Sequence, residues 1–214
     1  VFCLDRAGIT GDDGPSHHGV LDMVLLSRVP GMTVLAPSSY QELQQMFEDT
    51  MAITDGPVAI RWSKTPAPHV GWDEVGRGLA ARQVRAGDGQ VCLLGAGKML
   101  AAALAAADEL ATDGIDATVW DPRCIRPLDD KMLDNAAEHR LVVTIEDGFR
   151  EGGFGTGVLD ALAARPPRAE TPMPRVAVLG VPVAHHAHGP ADALLASFGL
   201  DGPGVAASVR FRLG

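Results

Sequence analysis

The 214-residue chain is 46% hydrophobic and 21% charged, the composition of a folded domain or pair of domains long enough to bury a core. Its formal net charge of -9 supplies no basic stripe to displace phosphate counterions, which argues against a nucleic-acid partner but not against a small anion held by a few local arginines. No apolar run suits a membrane span, since the alanine-rich stretch over 99–110 is interrupted by Asp108 and Glu109.

Residues 1–5, Val-Phe-Cys-Leu-Asp, read as a buried strand already under way; with no methionine before it, an upstream portion of the protein is expected to be missing from this sequence. A long glycine-rich loop follows. Residues 32–36 read as a strand, and Ser38 or Ser39 then caps a helix running through Met46 toward Ile53, with Glu42 in its first turn. Asp55-Gly56-Pro57 stops that helix, and 58–62 forms the next strand. Prolines 66 and 68 and a lack of periodicity mark a linker beyond Ser63. A second unit alternates strand 90–94, helix 98–113, strand 115–120, helix 128–139, strand 141–146, helix 155–164 and strand 176–179, with helical segments over 191–198 and near the C-terminus. The alternation predicts an α/β fold with parallel sheets, divided into 1–64, a linker over 65–75, and 76–214. Cys3, Cys92 and Cys124 share no CxxC spacing and are expected as buried thiols in a reducing compartment.

The chemistry concentrates in 5–22, DRAGITGDDGPSHHGVLD, which leaves the end of a strand, where α/β sheets place their ligand sites. A loop of this length is functional or disordered more often than it is a plain connection. Arg6, Asp13, His17 and His18 lie among its glycines, and such groups can bind an anion and move a proton near neutral pH. An acidic surface loop with two solvated histidines satisfies the same composition. The adjacency of His17 and His18 disfavours paired metal ligation. Arg61 and Lys64, at the exit of the strand over 58–62, form a second cationic pair, or else two solvated charges at a strand end.

The loop, followed by PGMTVLAPSS and DGPVAIRW, resembles the latter half of the pyrimidine-binding domain of the 1-deoxy-D-xylulose-5-phosphate synthases, a family of transketolase-like thiamine diphosphate enzymes. VGRG, VCLLGAGKML, GIDATVWDPRCIRPLD, LVVTIEDGFREGGFG and LGVPV are similar, in that order, to the family's C-terminal α/β domain. The resemblance implies condensation of pyruvate with D-glyceraldehyde 3-phosphate, loss of carbon dioxide, and a place in isoprenoid-precursor (and thiamine) biosynthesis in the cytoplasm, by a homodimer. It implies that Arg6 grips the acceptor phosphate and that Lys64 stands where the family has an arginine gripping the same phosphate, with Arg61 beside it. Asp13 and His17 would line the cofactor and substrates, His17 for proton transfer or hydrogen bonding at the acceptor carbonyl and Asp13 to orient it or hold a substrate hydroxyl. The sequence departs from the family at Trp62-Ser63-Lys64-Thr65, and lysine binds phosphate as a point charge without arginine's planar fork. No GDG followed by an asparagine some thirty residues on occurs, so thiamine diphosphate and Mg2+ are expected to be held by a missing N-terminal domain, leaving this portion inactive alone. A transketolase, the beta subunit of a 2-oxo-acid dehydrogenase, or a non-catalytic α/β assembly module are the alternatives.

Three further patterns read as structural. Leu94-Gly95-Ala96-Gly97-Lys98-Met99-Leu100 follows a strand and opens a helix, but the third glycine of a dinucleotide fingerprint is missing. Gly152, Gly153, Gly155 and Gly157 could cradle a phosphate at a helix start but are assigned to packing. His185, His186 and His188 have no cysteine or carboxylate at ligand spacing, and Arg123 and Arg126 are expected to fix a turn.

Overall fold

Parallel strands covered on both faces need unbroken apolar runs. The computed structural model, which describes residues 1–166 and 172–214, puts those runs where they are expected. Elements are numbered in chain order. One sheet has the order β1-β3-β2-β7, from Phe2–Leu4, Val58–Arg61, Thr33–Leu35 and Cys124–Arg126. β1, β3 and β2 are parallel, and β7 joins β2 antiparallel. The other has the order β4-β6-β5-β8-β9, from Arg82–Arg85, Thr118–Asp121, Val91–Gly95, Leu141–Phe149 and Arg175–Val181, with β4 the antiparallel member.

The helices start where short polar side chains replace missing backbone partners. Helix α2 (Tyr40–Thr50) begins at Ser39, whose hydroxyl accepts the Glu42 N–H at 3.0 Å. Helix α4 (Asp130–Ala136) is capped by Asp129, and α7 (Gly202–Leu213) by Asp201. α3 (Leu100–Ala111) and α5 (Phe154–Ala163) cover the second sheet, with α6 (Ala191–Ser197) between α5 and α7 in sequence. Among the described residues no helix is long and apolar enough to cross a membrane.

Several expectations need correction. β1 lies at the open edge of its sheet, with Val1, Phe2 and Cys3 exposed, because only one of its sides has a neighbour. Cys92 and Cys124 are buried, and burial pushes the Cys124 thiol up to about 12. The short helix α1 (Asp22–Leu26), the polar edge strand β4 and the three-residue strand β7 were not predicted. β7 sits between Pro122 and Pro127, where local pattern signals a turn; its pairing partner β2 lies far back in the chain.

That pairing means the second unit completes the sheet of the first. Arg123, fully buried at a positive φ of 56°, secures the seam. Its Nε donates to Glu42 Oε2 at 2.8 Å, and its Nη1 donates to the carbonyls of Arg77, Gly78 and Ala80 at 3.2, 3.1 and 2.7 Å. Glu42 Oε1 accepts the Gly76 N–H at 2.8 Å, so the segment 76–80, just past the linker, winds around one ion pair. Beside it, the Ser38 hydroxyl donates to Asp121 Oδ2 at 2.6 Å.

Removing one partner of a buried pair strands the other charge, so Arg123→Ala is expected to lower the unfolding free energy by roughly 3–5 kcal/mol. Urea denaturation measures it, and adding Glu42→Gln should cost less than the sum of the single changes. Burial raises the Asp121 carboxyl from 3.8 to about 7, with the Ser38 hydroxyl pulling the other way. The folded state therefore favours the neutral acid: this contribution to stability is complete below 3.8 and lost as pH rises through about 7. Asp121→Asn keeps both hydrogen bonds if Ser38 turns from donor to acceptor. The thermal midpoint of the Asn variant should therefore fall less than that of the parent between pH 5 and pH 8, and parallel falls would remove Asp121 as the cause.

Candidate functional site

The loop between β1 and α1 is closed at its neck by backbone. Gly8 N–H donates to Gly19 O at 2.9 Å, Gly19 N–H donates to Gly8 O at 2.8 Å, and Ala7 N–H reaches the Trp62 carbonyl at 2.9 Å. Gly8, at φ +74°, is required there, since a Cβ would lie 1.9 Å from Asp147 Oδ2. Ile9, Thr10 and Val20 are buried and form the floor. Above them Gly14 N–H bonds Gly11 O and His17 N–H bonds Gly14 O, two successive turns that leave His17 exposed and Asp13 half-buried. A compact surface loop closed at its ends and packed by its own side chains is the Ω type, a frequent carrier of function.

Three of the expected site residues meet. Lys64 Nζ donates to Asp13 Oδ1 at 2.8 Å, and Arg6 Nε lies 3.7 Å from Asp13 Oδ2. Arg6 has a positive φ of 55°, an uncommon conformation for a residue with a side chain. Its Nη1 also donates to Asp5 at 2.8 Å. The side chains of Arg6 and Lys64 are 52% and 41% exposed, so both cationic heads can reach a ligand. The Lys64 hydrogen bond holds the Asp13 carboxyl below its usual range, against the effect of burial and with help from the charges of Lys64, Arg6 and His17. His17 is exposed, its Nδ1 2.9 Å from the Ser16 hydroxyl. A cleft of about 720 Å³ opens beside Lys64 and Trp62, between the linker and α3.

Arg61 does not join this group. It is 3% exposed and held between Asp22 and Asp147, each at 2.7 Å. Both carboxylates reinforce its charge against the cost of burial. The structure thus places Arg61, expected beside the substrate, in an internal ion pair beneath the loop. Arg61 is the last residue of β3, where Asp22 and Asp147 enclose it, whereas Lys64 lies beyond the end of the strand.

The pair Glu146-Asp147, at the end of β8, was not singled out from sequence. Glu146 accepts the Phe154 and Gly155 N–H groups at 2.9 and 2.8 Å. The start of α5, where the glycines could have cradled a phosphate, is therefore occupied by the chain's own side chain. A Cβ at Gly153 would lie 2.1 Å from Glu146 Oε2, which accounts for the glycine. Burial pushes the Glu146 carboxyl up to about 8 against the pull of those two amides. The only available signal was an acidic pair ending an apolar run ahead of a glycine-rich turn.

His186 Nε2 lies 2.7 Å from the Pro182 carbonyl and its ring packs on Phe198, and among the described residues no group of three histidine, cysteine or carboxylate side chains could hold a metal. Lys98 donates to Thr65 Oγ1 at 3.3 Å, tying the turn before α3 to the linker. Arg126, like Arg123, lies on the strand-and-turn segment around β7.

Comparison with known proteins agrees with this architecture. Residues 1–68 match the family model described as the transketolase pyrimidine binding domain, and residues 80–205 the transketolase C-terminal domain. The curated 1-deoxy-D-xylulose-5-phosphate synthase of Chlorobium phaeovibrioides is 38% identical over 217 residues, covering 98% of this chain and 33% of that protein. Those of Anaeromyxobacter dehalogenans and Pseudomonas fluorescens are each 39% identical over 220 residues, covering all of this chain and 34% and 32% of theirs. The chain thus spans about a third of the length of the curated relatives it matches. Among solved structures, a split-gene transketolase described as an inactive beta4 tetramer superposes with a TM-score of 0.83 at 29% identity, over 97% of this chain and 65% of that one. A transketolase from Pichia stipitis in complex with sedoheptulose 7-phosphate gives 0.75 at 15% identity, over 96% and 29%, a likeness of fold alone.

Proposed function

The chain belongs to the transketolase family, matching it in both the pyrimidine-binding and the C-terminal domain, and on that premise we propose that it carries the acceptor side of a 1-deoxy-D-xylulose-5-phosphate synthase site. The convergence of Arg6 and Lys64 on Asp13 carries the reading. Two cations from separate strand exits match the charge of about -2 on a phosphate monoester near neutral pH. The phosphate of D-glyceraldehyde 3-phosphate would take hydrogen bonds from both, with lysine supplying a point charge and arginine a directed pair. Asp13, between them, can accept from an acceptor hydroxyl. His17, exposed beside it, can donate to the acceptor carbonyl and move a proton there.

Enzymes of this family depend on thiamine diphosphate, which supplies the carbanion character that joins the donor carbon to the acceptor when it is bound. The residues present fit the substrate side of such a site and not its diphosphate side. The Gly87-Asp88-Gly89 triplet is a turn in which Asp88 accepts the Gln90 N–H, and the sole asparagine, Asn135, is bonded to Trp120. We therefore assign the diphosphate and Mg2+ to a portion outside this sequence, in the same polypeptide or in a partner chain. A homodimer in the cytoplasm, serving isoprenoid-precursor and thiamine synthesis, completes the proposal.

Carbon dioxide release from pyruvate by the whole enzyme containing this sequence tests it, with thiamine diphosphate and Mg2+ present and with D-glyceraldehyde 3-phosphate added or withheld. The expected result is release stimulated by the acceptor, with 1-deoxy-D-xylulose 5-phosphate as product; no release in either condition overturns the assignment. His17→Ala should lower kcat by about 10²–10⁴-fold. Lys64→Ala should instead raise KM for the phosphorylated acceptor by about tenfold or more, the worth of a hydrogen bond to a charged group.

A further inference from the structure

His17 and His18 are neighbours with opposite surroundings. His17 stands at the surface, whereas His18 is half-buried and turned into the loop. Its Nδ1 lies 3.1 Å from both the backbone nitrogen and the hydroxyl of Thr10. A backbone N–H can only donate, so Nδ1 carries the lone pair and Nε2 the hydrogen. Nε2 faces the Ala187 carbonyl at 3.5 Å, on the segment that follows β9, and that carbonyl favours the same tautomer.

This bond closes residues 10–18 into a ring that contains Asp13 and His17. The segment after β9 fits against the outside of the ring. Gly189 N–H points at Gly11 O at 3.4 Å, and a Cβ on Gly11 would lie 3.0 Å from both Ala191 N and Gly189 O. The backbones of Arg6 and Lys64 do not depend on the ring, because they follow β1 and β3, whose exits are joined by the Ala7–Trp62 hydrogen bond; only their contacts with Asp13 do. Thr10 is only 4% exposed, so without His18 its N–H would lose its partner away from water. The tip of the loop would have to rearrange to recover one.

We propose that His18 is a positioning residue: by accepting the Thr10 N–H it holds the loop tip in the arrangement that sets Asp13 against Arg6 and Lys64 and presents His17 at the surface. This rests on the reading of Asp13 and His17 as site residues. Asparagine carries an acceptor oxygen the same number of bonds from Cα as Nδ1, glutamine places its oxygen one bond further out, and alanine has none.

The test compares His18→Asn, His18→Gln and His18→Ala in the whole enzyme by steady-state kinetics and by hydrogen exchange at the Thr10 amide. His18→Ala should lower kcat by about 10- to 100-fold, the scale of a small misplacement of reacting groups, with a smaller effect on KM for D-glyceraldehyde 3-phosphate. His18→Asn should recover most of that loss and His18→Gln little, and Thr10 protection should follow the same order. Equal turnover in the Asn and Gln variants, a change in KM alone, or unaltered Thr10 protection in the Ala variant would each overturn the assignment. If His18→Ala does not fold, the contrast between Asn and Gln still decides. His17→Ala in the same assay separates the two proposals: normal turnover there defeats the functional reading, whereas a crippled His17→Ala beside a normal His18→Ala defeats only the positioning role.

Discussion

The ion pairs of Arg61 with Asp22 and Asp147 are the constraint on which the site depends. They join three places that are distant in the chain: the end of β3, the start of α1 and the end of β8. Charges taken out of water are tolerated only when their partners are well placed, so this triad admits little freedom. Asp22 closes the loop at its far end, and Asp147 lies directly beneath Gly8 at its near end. The loop is therefore anchored at both ends by one guanidinium, and the candidate site residues stand on a base whose displacement would separate buried charges.

A second buried arginine does comparable work at the seam. Arg123 binds Glu42 from the first unit and the carbonyls of residues 77, 78 and 80 just past the linker, while β7 adds a strand to the first sheet. The two units thus share backbone pairing and an ion pair as well as an apolar contact. Glu146 adds a third internal pairing, of a carboxyl with helix amides. In each case a buried charged or acidic side chain is paired with groups of the chain itself, and of the three only Arg61 was expected to meet a ligand. Arg6 and Lys64 differ in that their heads stay exposed and share a single carboxylate. That contrast in burial separates the binding candidates from the structural charges.

Much of the fold was legible locally. The capping serine of α2, the stop after it, the apolar runs of β2, β3, β5 and β8 and the irregular linker follow from neighbours a few residues apart. The loop itself stood out by length and by the types of residue in it. What was not legible shares one trait. β7 pairs with a strand far back in the chain, β4 is polar because it is an edge, and α1 is too short to show a period. Arg61 and Lys64 looked equivalent because they lie three apart at one strand exit; only the presence of Asp147 on one side distinguishes them.

The amino-acid sequence by itself determined the α/β class, the order of most elements, the family and the segment in which the candidate site residues are concentrated. These depend on periodicity, on turn and cap residues and on contiguous motifs, all of which are short-range properties of the chain. Tertiary structure alone decided which charges face solvent and which face each other. The meeting of Arg6, Asp13 and Lys64, the enclosure of Arg61, and the opposite orientations of His17 and His18 all depend on partners brought in by folding. The physical reason is that the cost of burying a charge or a donor depends on what lies opposite it in space, and a linear pattern does not specify that neighbour.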